Sequence, residues 1–345
     1  MPRERKRMTE PLRVVSIGGG HGLSALLSGL KKYTHPHLNR EGEEQPVIDI
    51  TAIVTVTDDG GSSGRLRREF DVLPPGDIRN CMVALSEDGA LLSQLFQYRF
   101  KAGRGLKGHS FGNLFLTALT DITGDFPDAV RSSAEVLKIA GRIFPSTAAN
   151  VSLEAVLDDG AVIVGETRIS RSSRRIRRIR LQPGYVRPLR ETLDAIAHAD
   201  LITLGPGSLF TSVVPNLLVA GIPKAIRQSR AIKAYFVNLM SQPGETTNFA
   251  ASDHVRAVLD HAGGRFLDCV VMNNSRISPA LRRRYGEQDS APVECDTAVI
   301  EKMGIEVLAS DLVLKGAKVR HNPAAIARVA VDLACRNAPS GAPWR

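Results

Sequence analysis

The sequence has no apolar run of the ~18–20 residues that a membrane-crossing helix needs. Val14–Ile17, near the start, is too short for a signal-peptide core and runs straight into glycines. A secreted or membrane-spanning chain is therefore not expected, and the reading is a cytoplasmic protein. Cysteine is sparse. Cys81, Cys269, Cys295 and Cys335 stand far apart with no C-x-x-C pair, which excludes a disulfide scaffold and reads as free thiols. Aromatics are few, and none falls between 166 and 184, where arginine is densest. That argues against a stacking platform for single-stranded nucleic acid, so no nucleic-acid partner is expected. The usual catalytic signatures are missing as well. There is no G-x-x-x-x-G-K-[S/T], H-E-x-x-H or G-x-S-x-G, no metal-spaced Cys/His set and no evident nucleophile–base pair. Binding is better supported than catalysis.

What the sequence does contain is a sizeable apolar fraction, 43 % of 345 residues, evenly spread. This excludes disorder and allows one large domain or two. No internal repeat or low-complexity linker divides the chain. The reading is one domain over 12–335, with flexible tails at 1–11 (basic) and 336–345. Net charge is +9, from 45 basic and 36 acidic residues. Residues 165–190 hold nine arginines against one acid, so this stretch alone supplies +8. The basicity is thus a local patch: either a solvated face or a contact for phosphate, membrane or a protein partner.

Hydrophobic periodicity gives the architecture. Arg13–Ile17 reads as a buried strand, and Leu23, Leu26, Leu27 and Leu30 follow at helical spacing. Val47–Thr57 is a second strand after a loop at 34–46. Strand, Gly-rich turn, helix, strand opens a βαβ unit and implies a parallel sheet. Residues 76–100 and 109–140 read as helical. Over 142–182 three short strands, Val151–Leu157, Ala161–Ile169 and Arg175–Leu181, form a β-meander inserted at about 142–188. Strands then return at Asp200–Leu204, Tyr235–Leu239, Leu267–Met272 and 305–314, with helices at Ser252–His261 and Pro323–Cys335. The fold class is α/β: a Rossmann-like, mainly parallel sheet with helices on both faces and a small inserted β-meander.

Two Gly-rich turns lie between a strand and a helix. Gly18, Gly19, Gly20, His21 and Gly22 let backbone approach a ligand, and the free N–H groups of the next helix favour an anion. The dinucleotide spacing G-x-G-x-x-G/A is met only by Gly20, Gly22 and Ala25. Gly205, Pro206, Gly207 and Ser208, with Asn216 beyond, form the second turn. Asp58 and Asp59 close the second strand and read either as ribose acceptors or as ligands of a Mg²⁺ that bridges phosphates. The run Gly60–Gly64, including Ser62, reads as a donor-rich loop, and Arg65 adds positive charge. Asp77 reads as a helix N-cap, and His109 as a turn or core residue, with Asn113 nearby.

Six motifs, Gly18–Gly22, Thr57–Arg67, Pro75–Asn80, Gly108–Asn113, Gly205–Ser208 with Pro215–Leu218, and Asn238–Thr246, occur in the order seen in the YvcK proteins. The chain resembles that family over about residues 12–335. The family is related in fold to CofD, a 2-phospho-L-lactate transferase. The resemblance implies a cytoplasmic protein that binds UDP-N-acetylglucosamine or a related nucleotide and supports cell shape and wall synthesis during gluconeogenic growth. It attaches no settled reaction or cofactor. By resemblance Tyr285 and Arg320 join the ligand site. A tyrosine ring can pack on a base or sugar, and an arginine can fork onto a diphosphate. His21 replaces the threonine of many members. A wall-synthesis protein and a second copy of the chain are the partners to look for. Two other readings stand beside this one: a CofD-like, Mg²⁺-dependent transferase of a nucleotide-activated phospho group, and an NAD-binding oxidoreductase.

Overall fold

The computed structural model describes residues 10–38, 42–87 and 90–337. The tails expected at 1–11 and 336–345 lie mostly outside that range. Ten strands are described: β1 (Leu12–Gly18), β2 (Ile48–Val54), β3 (Arg142–Pro145), β4 (Ser152–Leu157), β5 (Val162–Val164), β6 (Ile176–Gln182), β7 (Leu201–Leu204), β8 (Ile232–Phe236), β9 (Cys269–Asn273) and β10 (Glu306–Ser310). In the first half the helices are α1 (Gly20–Leu30), α2 (Gly61–Phe70), α3 (Gly76–Leu85), α4 (Ala90–Gln97), α5 (Phe111–Thr123), α6 (Phe126–Val136) and α7 (Glu166–Ile169). In the second half they are α8 (Arg190–Ala197), α9 (Val214–Leu217), α10 (Ile222–Gln228), α11 (Ala251–Ala262), α12 (Pro279–Gly286), α13 (Thr297–Lys302) and α14 (Pro323–Arg336).

Seven strands form one parallel sheet in the order β10-β9-β8-β7-β1-β2-β3, flanked by helices. Strand order reverses beside β1: the chain steps outward through β2 to β3, then returns to β7 on β1's other side. Ligands of open α/β sheets bind at such a switch point, outside the carboxyl ends of the strands. β1 and β2 are nearly continuous aliphatic runs in which only Arg13 and Asp49 escape full burial, as a sheet covered on both faces demands. The leucines of α1 are fully buried, and α14, whose Ile326, Ala327 and Ala330 are fully buried, packs over α1 with Ala327 beside Gly29. A side chain at Gly29 would collide with the Pro323 carbonyl, so the two helices touch backbone to backbone. Among the described residues no single helix is long and apolar enough to cross a membrane.

The inserted sheet is antiparallel, in the order β5-β4-β6. It is smaller than the reading of 142–182 suggested. Arg142–Pro145 belongs to the main sheet, paired with β2. The strand read over Ala161–Ile169 stops at Val164. Gly165, at φ 101°, turns the chain into α7, which Asp59 anchors through the Thr167 N–H at 2.8 Å and hydroxyl at 2.7 Å. The loop expected at Gly60–Gly64 is instead the start of α2. There, glycine and serine allow close packing: a side chain at Gly64 would collide with the Asp59 carbonyl. The single helix expected after Gly205–Gly207 is a widened turn over Leu209–Val213 followed by α9. The fold also runs a little further than the tail expected at 336–345. Arg336 ends α14 in an ion pair with Glu306, and the Asn337 amide donates to the Asp200 and Arg230 carbonyls.

Candidate functional site

A cavity of about 590 Å³ opens at the carboxyl ends of β1, β2, β7 and β8, at the reversal of strand order. Its floor is the turn from β1 into α1. Gly20 adopts φ 64°, a left-handed conformation that favours glycine. A side chain at Gly22 would strike the Pro206 carbonyl, so the two Gly-rich turns press together without side chains between them. The first turns of α1 and α2 both face the cavity through Gly20–Gly22 and Gly61–Ser63. The Gly20 N–H is taken by Asp77, and the first-turn N–H groups beyond it, with the helix dipoles, favour a negatively charged guest.

The β7 side is fixed by polar side chains. The Gly207 N–H donates to Asn238 Oδ1 at 3.3 Å, the Asn238 amide donates to Gln242 Oε1 at 3.2 Å, and the Gln242 amide donates to Ser208 Oγ at 2.8 Å. Below them Glu245 is 5 % exposed and accepts from the Phe210 N–H at 3.1 Å and the Thr211 hydroxyl at 3.0 Å. Burial pushes its carboxyl up, against those hydrogen bonds.

Charge is concentrated here. Arg79, Arg99 and Arg320 line the cavity with His21. Burial, then the fields of Arg320 and Arg79, pushes the His21 imidazole down and favours its neutral form. Arg79 donates to Ser110 Oγ at 2.6 Å and Asn80 Oδ1 at 2.7 Å, yet its Nε is buried without a partner. Asn113 Oδ1 and both ring nitrogens of His321 are likewise buried and unpartnered at the cavity wall. Buried polar atoms usually carry a partner, so orphans gathered at one cavity point to a guest. Three carboxyls share the wall: Asp58, Asp77 and Glu166. Burial raises Asp77 to about 6, with the Asp58 charge acting the same way. Burial also raises Asp58, against hydrogen bonds from the Gly60 N–H and Ser63.

Of the residues singled out in the sequence, Gly20, His21, Gly22, Asp58, Ser62, Asn113, Gly207, Ser208 and Arg320 meet on this cavity. Gly18, Gly19, Gly205 and Pro206 form the backbone behind it, and the Asn216 amide donates to the Gly18 carbonyl at 3.3 Å. Tyr285 stands one step back: its hydroxyl accepts from the Val319 N–H at 3.2 Å, next to Arg320. Arg65 turns to the Lys107 carbonyl. Asp58 and Asp59 part company, for Asp58 lines the cavity while Asp59 binds Thr167. They do not form one clamp for a cation. No group of three or more His, Cys, Asp or Glu suited to a metal ion occurs among the described residues.

Asp77, Arg79, Asn238 and Gln242 were absent from the sequence-level site, although each lies in a motif that carried the resemblance. Asp77 was read as an N-cap. It lies in the first turn of α3 and accepts from the Gly20 N–H instead. Nothing in the sequence pointed to Glu166. A second cavity, of about 730 Å³, shares Asn238 and Leu239 with the first and extends past the end of β9 to Pro279 and Arg282 of α12.

Residues 14–313 match the family model described as 2-phospho-L-lactate transferase CofD. The chain is 45 % identical over 327 residues to the gluconeogenesis factor of Bacillus subtilis, covering 94 % of this chain and 99 % of that protein. It is 44 % identical over 320 residues to the gluconeogenesis factor of Halalkalibacterium halodurans, covering 92 % and 95 %. A crystal structure of a Bacillus halodurans protein superposes with a TM-score of 0.88 at 44 % identity, covering 93 % of this chain and 100 % of that one.

Proposed function

Because the chain belongs to the CofD family, among its gluconeogenesis factors of the YvcK type, we propose that it binds a UDP-sugar, UDP-N-acetylglucosamine foremost, in the switch-point cavity. In this reading it is a cytoplasmic regulator that ties nucleotide-sugar supply to cell shape and wall synthesis during gluconeogenic growth. One observation carries the binding reading. Two helix N-termini and three arginines converge with orphaned buried polar atoms on a single cavity. The diphosphate lies against Gly20–Gly22 with Arg79 and Arg320 as its charged donors. Such bonds are strong because one partner or both are ionised. The second cavity, continuous past Leu239, has room for the part of the nucleotide away from the phosphates.

The CofD kinship supports a second reading, a transferase. There Asp58 and Asp77, the carboxylates nearest the phosphate floor, would hold Mg²⁺ and screen charge on the transferring group. Calorimetric titration with UDP-N-acetylglucosamine, with and without Mg²⁺, separates the two. The regulator reading expects saturable binding, intact nucleotide afterwards, and a loss of roughly 10- to 100-fold in affinity for Arg320→Ala, the worth of a charged hydrogen bond. Consumption of the nucleotide only with Mg²⁺ and an acceptor would establish the transferase instead. Absence of binding in both conditions would end the UDP-sugar reading.

A further inference from the structure

α4 is apolar on the side where a surface helix is ordinarily charged. It carries no charged residue at all. Its inner side packs into the core through Phe96, with Leu92 partly buried beside it. Its outer side shows Leu91, 79 % exposed, and Leu95, and the same line of positions continues to the exposed Tyr98 just past the helix. A helix apolar on both sides is normally covered on both. The chain then forms a hairpin-like loop. The Phe100 N–H donates to the His109 carbonyl at 2.9 Å, and the Gly108 N–H to the Phe100 carbonyl at 2.8 Å. Arg99 and Arg65 clamp the base of the loop by donating to the Gly108 and Lys107 carbonyls, at 2.6 Å and 2.9 Å. Its tip, 101–107, is exposed throughout and presents Leu106 among Lys101, Arg104 and Lys107. From 90 to 120 the sequence has these three cations and Arg99, and no aspartate or glutamate. The ion pairs of the described residues involve none of the four. Glu69 acts on His109 at the base of the loop, where Arg65 and Arg99 outnumber it.

We propose that α4 and the 98–108 loop dock the protein on an anionic lipid surface, with Leu91, Leu95, Tyr98 and Leu106 entering the boundary between headgroups and acyl chains. The inference goes beyond the nucleotide-sugar reading and does not depend on it. Charge complementarity selects the occupant. A second copy placed on this face by a two-fold axis brings four cations against four, which is disfavoured. A peptide held in a groove needs a concave site, whereas these four side chains stand on a helix face and a loop tip and line neither cavity. A negatively charged bilayer takes both parts at once. Apolar side chains reach ~5–10 Å into the boundary, and each Lys or Arg at the surface adds attraction to anionic headgroups. Tyrosine suits the level between them, with an apolar ring and a polar tip. Arg99 also lines the switch-point cavity, so a docked molecule holds that cavity close to the membrane.

The test is co-sedimentation of the full chain with vesicles of phosphatidylcholine, with and without phosphatidylglycerol. The protein is expected to pellet with the phosphatidylglycerol vesicles, to stay in solution with phosphatidylcholine alone, and to be released as salt is raised. Lys101→Gln/Arg104→Gln/Lys107→Gln should weaken vesicle binding roughly 100-fold, since each cation near an anionic surface adds to the attraction. Leu91→Ser/Leu95→Ser keeps every charge and should still cost roughly tenfold, because apolar burial is the other half of such binding. Both variants change exposed side chains, and thermal melting checks that they fold. Arg177→Gln/Arg178→Gln, on β6, should bind vesicles as the wild type does. Failure of the wild type to bind phosphatidylglycerol vesicles overturns the inference. So does loss of binding in the β6 variant with the loop variant unaffected, which moves the contact to the other basic patch. Full binding by the leucine variant overturns it as well, because the helix face then enters nothing. A wild type that ignores vesicles but sediments as a dimer, and a leucine variant that sediments as a monomer, would make this face a subunit interface instead.

Discussion

Asp77 and His321 sit on the same cavity and titrate in opposite senses. The Asp77 carboxyl is raised from 3.8 to about 6, mainly by burial. Between those values the folded protein holds more protons at this site than the unfolded chain. Stability therefore falls as pH rises through the window, by up to about 3 kcal/mol. Asp77→Asn keeps an acceptor for the Gly20 N–H and removes the charge. It should melt above the wild type at pH 8 and level with it at pH 4; a variant that melts lower at pH 8 would show that the carboxylate is needed as a charge. His321 is lowered to about 4 by burial, so its contribution is lost instead as pH falls from 6.5 toward 4. Residues of this kind are hard to read from sequence. An aspartate next to a helix start ordinarily caps it, and only the reversal of strand order brings α3 under the α1 turn. Glu166 was hidden more completely, inside a stretch whose alternation reads as strand.

At the level of elements, the sequence was most informative where burial forces a period. β1, α1 and β2 follow from aliphatic runs and the leucine spacing of α1, and their observed limits lie within a few residues of those read. It misled where packing against a neighbour replaced periodicity. α2 begins in glycines and serines because its first turn lies on Asp59 and the cavity, and small side chains are what fit there. α7 exists because Gly165 breaks the strand and Asp59 holds Thr167. Thr167→Val removes one donor to that carboxylate. The cost should be about 1 kcal/mol, read as faster amide exchange over 165–170 with exchange in β1 and β2 unchanged. Uniformly faster exchange would mean that α7 is not a separable element.

At the scale of the whole molecule, the parallel sheet and a small inserted β region were legible, because connection rules leave few ways to wind such a chain. The strand order, and with it the switch point beside β1 where the cleft opens, was not, because it rests on pairings between strands far apart in the sequence. The basic patch is the part that the cleft does not absorb. Arg174 pairs with Asp159, Arg180 lies 3.7 Å from Glu154, and Arg175 covers the Phe249 ring. Arg177 and Arg178 stand exposed on β6 with no ion pair among the described residues. Their joint change to glutamine should move stability by less than about 0.5 kcal/mol and leave nucleotide affinity unchanged, while the protein elutes earlier from heparin. Loss of nucleotide affinity would instead tie this face to the cleft. The contact between α1 and α14 has a consequence for synthesis. α1 leaves the ribosome well before α14. Until the final turns emerge, part of α1's leucine face has no cover, so a prematurely terminated chain would display a greasy stripe that chaperones and proteases recognise. α14 thus acts as a check on the fold: only a chain translated through it can cover the leucine face of α1.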